Sequence, residues 1–445
     1  MKFSPVKTGL TGSLLLSQYY WAKSDGFVLS RKEGSSPLTR RNAIIGVADS
    51  PIDFSHKDLK NHAWDGFYCD YEDESEKLKC QPNHGKNIID PSSPEALDPK
   101  KSEKYVDVLR FLDIEKRYLS GKRVSQKEAT FFNESSKSAS FRELLNEFLQ
   151  NSHGSHVSGI ITKDNPKAKV IELRMIPFME NVKGRYAFVP VRNLKPVDST
   201  SRRQVLADLL EYILEDAKNY KEMAEFSKTK NINVVNCSFG KGLARTFVER
   251  FLWSKNLIPN DKDVKALEKI YVDKTNKIIG ENLSIAQKTL FVAAAGNSHT
   301  DLDKEPQAFT SLGLDQFLVV GAVDKEGRMT DFSSYGKNSV EIAAPGFEIE
   351  STALGGSNTK MSGTSQAAPH VSRAAALVYD VHSELSPKEI KEILLGSVDH
   401  KEHLKSYVTY GGVLNTDQAL LAAKRVKEGQ SIREACRLSY EAMPE

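Results

Sequence analysis

Short apolar runs recur along the chain and alternate with segments that have the periodicity of helices. The first run, residues 42–48, stops at Asp49. The later runs are residues 170–173, 232–235, 290–295, 317–323 and 340–344. Between them, segments such as residues 203–210 place apolar side chains three and four positions apart, which is typical of one face of an α-helix. Short buried strands that alternate with helices predict an α/β fold, a three-layer sandwich in which helices cover both faces of a mainly parallel sheet.

A strongly charged segment, residues 62–150, interrupts this pattern. It contains the acidic run of residues 70–74 and helical periodicity over residues 141–149. We predict that it is a large, mostly helical insertion in the α/β core. For residues 70–103 the alternative is a disordered charged linker.

The remaining segments predict a simple domain organisation. An N-terminal extension of residues 1–41 precedes a core domain of residues 42–425, which contains the insertion. A helical tail of residues 426–445 follows. Its helix is predicted from Ser431, a favourable N-cap residue, and from Glu434 three positions later, which completes a capping box.

Composition limits the classes of partner. Hydrophobic residues make up 39% of the chain and charged residues 27%, as in an ordinary globular protein. The net charge is only +3, so electrostatics provide no basis for binding nucleic acid. No run approaches the length of about 18 apolar residues that a transmembrane helix requires.

Four cysteines are too few for a disulfide framework, and none forms a Cys-x-x-Cys pair typical of zinc sites. Cys69 and Cys80 are close enough in sequence to pair in an oxidising compartment, and two free thiols are the alternative. Cys237 lies in an apolar run and is predicted to be a buried packing residue.

Three polar motifs carry candidate chemistry. Asp49 ends the first predicted strand, His153 precedes Gly154 at a predicted helix start, and Ser365 follows a Gly-Thr turn before an Ala-rich helix. A helix N-terminus stabilises developing negative charge. A serine hydroxyl is a poor nucleophile at neutral pH, so it needs an adjacent base, and that base needs a carboxylate to orient it. The three residues together supply these parts.

Their order along the chain, Asp then His then Ser, is the order in subtilisin. The three motifs resemble the active-site signatures of subtilisin-like serine proteases, the subtilases of peptidase family S8. Residues 292–297 resemble the family's oxyanion-hole segment, and residues 235–240 resemble its substrate-binding strand. Further matches are residues 317–324, 331–336, 343–346 and 410–415.

The resemblance implies a role for each catalytic residue. Ser365 would attack the scissile carbonyl carbon, and His153 would take the serine proton and later deliver it to the leaving amine. Asp49 would orient His153. The side-chain amide of Asn297 and the backbone N–H of Ser365 would stabilise the tetrahedral oxyanion.

The resemblance also implies a substrate-binding surface. One segment would pair with an extended polypeptide as an antiparallel strand, and another would form the wall of the pocket for the residue before the scissile bond, P1. These residues are Ser238, Phe239, Gly240, Ala294, Ala295 and Gly296. The small wall residues favour an uncharged P1 side chain. Acidic side chains in residues 301–305 would favour a basic one, unless they are solvated surface groups.

Three residues depart from the family pattern. Pro51 occupies a position where glycine is usual, and because proline lacks an N–H and fixes φ, the turn beside Asp49 must differ. Gln366 follows the nucleophile where methionine is common, which removes an oxidation-prone thioether. Arg373 replaces a usual glycine in the following helix, without an evident partner in the sequence.

No cofactor is predicted. Residues 162–169 are short where many family members carry a calcium-binding loop, so calcium is possible but not indicated, and Asp58 alone is a weak basis for a calcium site. The spacing of His153 and His156 raises a metal hydrolase as an alternative. No acidic ligand accompanies the pair, so no metal ligand set is predicted.

We therefore predict a serine endopeptidase that acts on polypeptides. The alternative is a catalytically restrained binding or regulatory module with a protease fold, controlled by residues 62–150. Residues 1–41 are shorter than the family's usual propeptide domain, which favours a cytoplasmic enzyme. The basic and leucine-containing residues 2–16 are a weak N-terminal signal that would instead imply a secreted or periplasmic protein.

Overall fold

Strands and helices alternate along the described part of the chain. The computed structural model describes residues 27–28, 42–64, 66–72, 77–90, 103–119, 122–177, 194–310 and 312–442. The strands are β1 (Phe27–Val28), β2 (Ile44–Asp49), β3 (Gly66–Glu72), β4 (Lys77–Asn83), β5 (Gly85–Asn87), β6 (Lys169–Arg174), β7 (Lys195–Pro196), β8 (Val234–Cys237), β9 (Leu257–Ile258), β10 (Leu290–Ala294), β11 (Phe317–Val323), β12 (Ile342–Pro345), β13 (Ile349–Ala353), β14 (Ser357–Met361), β15 (Asp399–His400) and β16 (Gly412–Val413). The α-helices are α1 (Val106–Leu119), α2 (Gln126–Lys137), α3 (Ala139–Thr162), α4 (Ser199–Thr229), α5 (Ala244–Ser254), α6 (Asp261–Leu283), α7 (Thr364–Val381), α8 (Pro387–Gly396), α9 (Thr416–Lys427) and α10 (Ile432–Glu441).

The six predicted apolar runs form the six consecutive middle strands of the central sheet. Within the described residues it has nine strands in the order β15-β16-β12-β11-β10-β8-β2-β6-β5. The strands from β12 to β6 in this order are parallel to their neighbours. Each run is almost continuously apolar because helices cover both faces of the sheet. The six predicted strands are confirmed.

Alternate residues of each strand pack into separate hydrophobic layers. On β10, Val292 belongs to one core cluster and Phe291 to the other. The first cluster includes residues of α3, α7, α8 and α9, for example Val371 of α7. The second includes residues of α4 and α6, for example Met223 and Ile279. This arrangement confirms the predicted α/β fold with three layers.

The insertion is only partly helical. Residues 106–119, residues 126–137 and the first half of α3 are helical, as predicted, but residues 66–72 and 77–83 form the antiparallel pair β3 and β4, and β5 extends the central sheet. The aromatic residues of β3 favour a strand, but the prediction gave more weight to the many charged residues around them. Cys69 lies opposite Cys80 in the register of β3 and β4, and whether the two thiols pair stays a prediction.

His153 lies inside a helix and does not open one. Helix α3 begins at Ala139, where the Ser138 hydroxyl accepts a hydrogen bond from the N–H of Phe141, and it continues to Thr162. The prediction of a helix start at His153 was wrong because residues 139–152 contain no proline or glycine that would end the preceding helix. The insertion and the candidate catalytic histidine therefore share one helix.

The C-terminal helix forms where it was predicted. The Ser431 hydroxyl accepts a hydrogen bond from the N–H of Glu434, and α10 places Ala435 and Cys436 in the core cluster that contains α8. Most of the predicted N-terminal extension, residues 1–26 and 29–41, lies outside the described residues. The predicted domain bounds stay predictions.

None of the described helices combines the length and the apolar composition needed to cross a bilayer.

Arg373 connects α7 to the end of α3. Its Nη1 donates a hydrogen bond of 3.2 Å to the carbonyl oxygen of Lys163, the C-cap residue of α3. The guanidinium also lies 3.9 Å from the exposed carboxylate of Asp164. A cation at a helix C-terminus interacts favourably with the last carbonyl groups. Arg373 thus fastens the helix of Ser365 to the helix of His153.

Arg373→Ala is expected to lower the free energy of unfolding by about 1–2 kcal/mol, because α3 loses a charged donor at its last turn. Arg433→Ala is the control: this arginine is exposed on α10, and its truncation should change stability by less than about 0.5 kcal/mol. Chemical denaturation measures both effects. If the two variants are equally stable, the contact to Lys163 contributes nothing to stability.

Candidate active site

Asp49 and His153 meet at the carboxyl edge of the central sheet. Asp49 is the last residue of β2, and its Oδ1 lies 2.7 Å from Nδ1 of His153. The same oxygen accepts the N–H of Ser50 at 2.7 Å. Asp49 is fully buried, whereas 22% of the His153 side chain is exposed. A carboxylate bonded to Nδ1 fixes the imidazole in the tautomer that leaves Nε2 free to accept a proton.

The turn that follows Asp49 is held by a buried ion pair. The N–H of Ile52 donates to Oε2 of Glu172 at 2.7 Å, and Nη2 of Arg174 binds the other oxygen of that carboxylate at 2.7 Å. Pro51 has no N–H to offer in this turn. Oδ2 of Asp49 is buried without a hydrogen-bond partner among the described residues.

Gly154 allows α3 to approach this turn closely. Its N–H donates to the Ser50 hydroxyl at 2.9 Å. A Cβ at residue 154 would lie 2.1 Å from the carbonyl oxygen of Ser50, far inside contact distance. Only glycine permits this spacing, which brings the neighbouring His153 to Asp49.

The environment of His153 changes its pKa by opposing effects. Burial lowers the pKa, while the charge of Asp49 and the hydrogen bond to that carboxylate raise it. The pKa of His153 is raised overall. Its proton is therefore held to a higher pH than in an isolated histidine.

Ser365 lies in the first turn of α7, where backbone N–H groups lack intrahelical acceptors. In the described part of the chain its hydroxyl donates to the carbonyl oxygen of Ser238 at 2.9 Å rather than to His153. The Ser238 hydroxyl in turn donates to the carbonyl oxygen of Ser365 at 2.7 Å. The two residues thus bind each other reciprocally, which joins the end of β8 to the start of α7.

Asn297, just after β10, contacts the same helix start. Its Oδ1 accepts the backbone N–H of Thr364 at 2.8 Å and the Thr364 hydroxyl at 2.9 Å. That hydroxyl oxygen also accepts the N–H of Gly296 at 3.0 Å. Because both hydrogen bonds from Thr364 are accepted by Oδ1, they fix the orientation of the Asn297 side-chain amide. Its Nδ2 group then points away from these bonds and can donate to another acceptor. A Cβ at Gly363 would lie 3.2 Å from this Nδ2.

The predicted substrate-binding residues fall into two groups. Phe239 stacks on Phe309 with ring centroids 5.2 Å apart, and no atom of the described residues lies within 4 Å of a Cβ placed on Gly240, so among those residues the space beside that backbone is open. The side chains of Ala294 and Ala295 are buried in opposite core layers. Gly296 adopts φ of 101°, a conformation that favours glycine.

Several acidic groups of residues 301–305 are engaged within the protein. Asp301 pairs with Lys304 at 2.7 Å. Asp303 accepts the N–H of Asn338 and the hydroxyl of Ser339. These contacts favour a structural use of the two carboxylates over recognition of a basic P1 side chain.

Sequence reasoning missed a buried polar chain beneath the site. The Ser372 hydroxyl donates to Oδ1 of Asn236 at 2.8 Å, and Nδ2 of Asn236 donates to the Ser238 hydroxyl at 2.8 Å. This chain ends at the carbonyl oxygen of Ser365. The available signal was Asn236, an amide in an otherwise apolar strand, because buried polar groups need partners. The contact of Thr364 with Asn297 was also missed, because in the Gly-Thr-Ser motif only the serine was assigned a role.

His156 is occupied by the β13–β14 hairpin. Its Nε2 lies 3.0 Å and 3.1 Å from the carbonyl oxygens of Ile349 and Thr359, which can only accept hydrogen bonds, so Nε2 carries the proton. Burial, together with the charge of His153, lowers the pKa of His156 to about 4. The described residues contain no cluster of three or more side chains suited to a metal ion. Asp58, the candidate calcium ligand, has a side chain that is 53% exposed.

Gly154→Ala is expected to lower the free energy of unfolding by about 1–3 kcal/mol, because the new methyl group would overlap the Ser50 carbonyl oxygen. Gly280→Ala on α6 is the matched control, since a Cβ there meets its nearest atom at an ordinary 3.5 Å. That change should alter stability by less than about 1 kcal/mol. Urea denaturation distinguishes the two, and an unaltered Gly154→Ala variant would contradict the close approach of α3.

Comparison with known proteins identifies relatives. A sequence model of the subtilase family matches residues 40–417. A thermophilic serine proteinase of Bacillus sp. (strain AK1) is 35% identical over 125 residues, which are 28% of this chain and 29% of that protein. Subtilisin DY of Bacillus licheniformis is 33% identical over 135 residues, which are 30% of this chain and 47% of that protein. The chain thus matches less than half the length of either relative.

Among solved structures, a lanthipeptide protease aligns with a TM-score of 0.50 and 18% identity. The alignment covers 86% of this chain and 88% of that one. At this identity the likeness supports the fold alone. Because the family model spans most of the sequence, and the motifs it covers meet at one edge of the sheet, the chain belongs to the subtilase family.

Proposed function

We propose that the chain is a serine endopeptidase that hydrolyses peptide bonds in polypeptides. Asp49, His153 and Ser365 form its triad, and Asn297 supplies an oxyanion donor. The observation that carries the proposal is the 2.7 Å contact between the buried Asp49 carboxylate and His153, on the same sheet edge as the α7 N-terminus. Membership of the subtilase family supports it.

The first chemical step requires a rotation of the Ser365 hydroxyl. In its present position the hydroxyl donates to Ser238. After turning towards His153, it gives its proton to Nε2 while Oγ attacks the substrate carbonyl carbon. As negative charge develops on the carbonyl oxygen, this oxygen accepts hydrogen bonds from the Ser365 N–H and from Nδ2 of Asn297.

The second half of the reaction reverses the proton transfer. His153 gives its proton to the leaving amine, the C–N bond breaks, and the acyl group stays on Ser365. Water then attacks the ester carbonyl carbon and gives a proton to His153. The bond between this carbon and Oγ of Ser365 breaks, His153 returns the proton to Oγ, and the carboxylic acid product leaves. Asp49 remains ionised and stabilises the imidazolium in both halves.

The substrate lies along residues 238–240 as an added antiparallel strand. Rotation of Ser365 releases the carbonyl oxygen of Ser238, which can then accept an N–H from the polypeptide. The open space beside Gly240 leaves room for a second main chain. Backbone recognition of this kind tolerates varied sequences, and Gly296 with its alanine neighbours bounds the P1 pocket.

A fluorophosphonate probe tests the proposal, because it reacts with activated serines. We expect labelling of the wild type and none of Ser365→Ala. Ser362→Ala is the matched control: this exposed serine lies three positions before the nucleophile and should be dispensable for labelling. Equal labelling of the wild type and Ser365→Ala would contradict the proposal. A folded wild type that binds polypeptides but resists labelling would favour the rival, a restrained regulatory module.

The activity should depend on pH through His153. The imidazole must be neutral to act as base, and its pKa is raised by Asp49, so kcat/KM should fall as pH drops through a midpoint above about 6.5. Asp49→Asn removes the charge, so both the midpoint and the rate should decrease. Peptide hydrolysis across the pH range measures this. A wild-type midpoint below that of Asp49→Asn would contradict the assigned pair.

The raised pKa of His153 also determines how the stability of the folded protein depends on pH. The protonated form of His153 is favoured in the folded protein, so the pair contributes most below the pKa of an unfolded histidine. This contribution is lost as the pH rises through the raised value.

A further inference from the structure

The insertion closes on the hairpin that leads to Ser365. Ala353 and Leu354, at the turn between β13 and β14, are fully buried. The same hydrophobic cluster contains Tyr105, Val108 and Phe148 of the insertion. Because burial of these apolar side chains removes them from water, it holds the insertion and the hairpin turn together.

A buried polar network joins the start of the insertion to α3. The Tyr105 hydroxyl donates to Oε1 of Glu147 at 2.9 Å and accepts from Nδ2 of Asn151 at 2.8 Å. The Lys104 ammonium pairs with the same carboxylate. Glu147 and Asn151 are one helical turn apart, and Asn151 precedes His153 by two residues. Tyr105 and Asn151 are fully buried, so these hydrogen bonds are shielded from water, where they are stronger than at the surface.

The hairpin is also bonded directly to α3 on both sides of His153. The N–H of Leu354 donates to the Ser152 hydroxyl at 3.2 Å. The Thr352 hydroxyl donates to the carbonyl oxygen of Ser155 at 2.6 Å. Further along α3, His156 binds both hairpin strands. These hydrogen bonds therefore fix the distance between the hairpin and α3 on both sides of His153, the proposed base.

The hairpin connects to the nucleophile through a short segment. Strand β14 ends at Met361, and Ser365 follows four residues later. Between them, the N–H of Gly363 donates to the carbonyl oxygen of Gly346 at 2.8 Å, which anchors the connection to the end of β12. The start of α7 is thus fixed at the sheet edge, while the hairpin that precedes it is bonded to α3 around His153, so the hairpin links the positions of the two residues.

We propose that residues 103–150 act as a brace that positions His153 against Ser365, with Tyr105 as its positioning residue. This inference rests on the proposed function. The hydroxyl of Ser365 donates to Ser238 in this structure, so the bond to His153 forms only after this hydroxyl turns, and its formation depends on how the two segments are held. Misplacement of catalytic groups by about 1 Å can cost on the order of 100-fold in rate.

Tyr105→Phe tests the brace, because it removes one hydroxyl and keeps the ring that packs edge-on against Phe148 at 5.2 Å. We expect kcat for peptide hydrolysis and the rate of fluorophosphonate labelling to fall on the order of tenfold, with KM unchanged. Tyr118→Phe is the matched control on the same insertion: this tyrosine is 71% exposed and its variant should match the wild type. Near-ultraviolet circular dichroism verifies that each variant is folded.

A second variant covers the case in which Tyr105→Phe does not fold. Val108→Ala trims a buried side chain of α1 in the Leu354 cluster and should also lower kcat at constant KM. If the wild type is labelled and folded Tyr105→Phe or Val108→Ala matches Tyr118→Phe in kcat, the brace is wrong and the proposed function stands. A rise in KM with unchanged kcat would also overturn the brace, since it would indicate a role in substrate binding. If the wild type is not labelled at Ser365, both proposals fail.

Discussion

The close approach of α3 to the turn after Asp49 is the constraint on which the rest of the site depends. A fully buried carboxylate is tolerable only if groups nearby satisfy it, and His153 with the Ser50 N–H does so on one oxygen. That contact exists because Gly154 carries no Cβ to meet the Ser50 carbonyl oxygen. Since the other oxygen, Oδ2, has no hydrogen-bond partner among the described residues, the interaction with His153 is all the more decisive.

The nucleophile side is organised by a different principle, the convergence of strand ends. Strands β8 and β10 are parallel neighbours, so Ser238 and Asn297, which follow them, emerge at the same edge. Helix α7 starts at this edge, and each residue binds its first turn: Ser238 binds Ser365, and Asn297 binds Thr364. In the proposed mechanism, Nδ2 of Asn297 and the N–H of Ser365 would therefore be held in place before substrate binds, which is the condition for electrostatic stabilisation at low reorganisation cost.

Sequence reasoning succeeded where the signal is local. The six strands are continuous apolar runs, and the Gly-Thr-Ser motif before an Ala-rich segment placed Ser365 at a helix start. It failed where the outcome depends on what precedes or faces a motif. The helix of His153 continues from Ala139 because nothing in between ends it, although the motif alone reads as a beginning. Ser372, which binds Asn236, and Lys163, which binds Arg373, are distant from those residues in sequence, so no periodicity could identify them.

The features particular to this chain act on the same two helices. Arg373 ties α7 to the end of α3, and the hairpin binds α3 around His153 before leading to Ser365. The insertion is continuous with α3 and packs on the turn of that hairpin. A segment that shares a helix with His153 cannot be displaced like a separate lid without moving His153 itself. The position of the insertion in the chain, directly before His153, therefore favours a role in setting catalytic geometry over a role in covering the substrate groove.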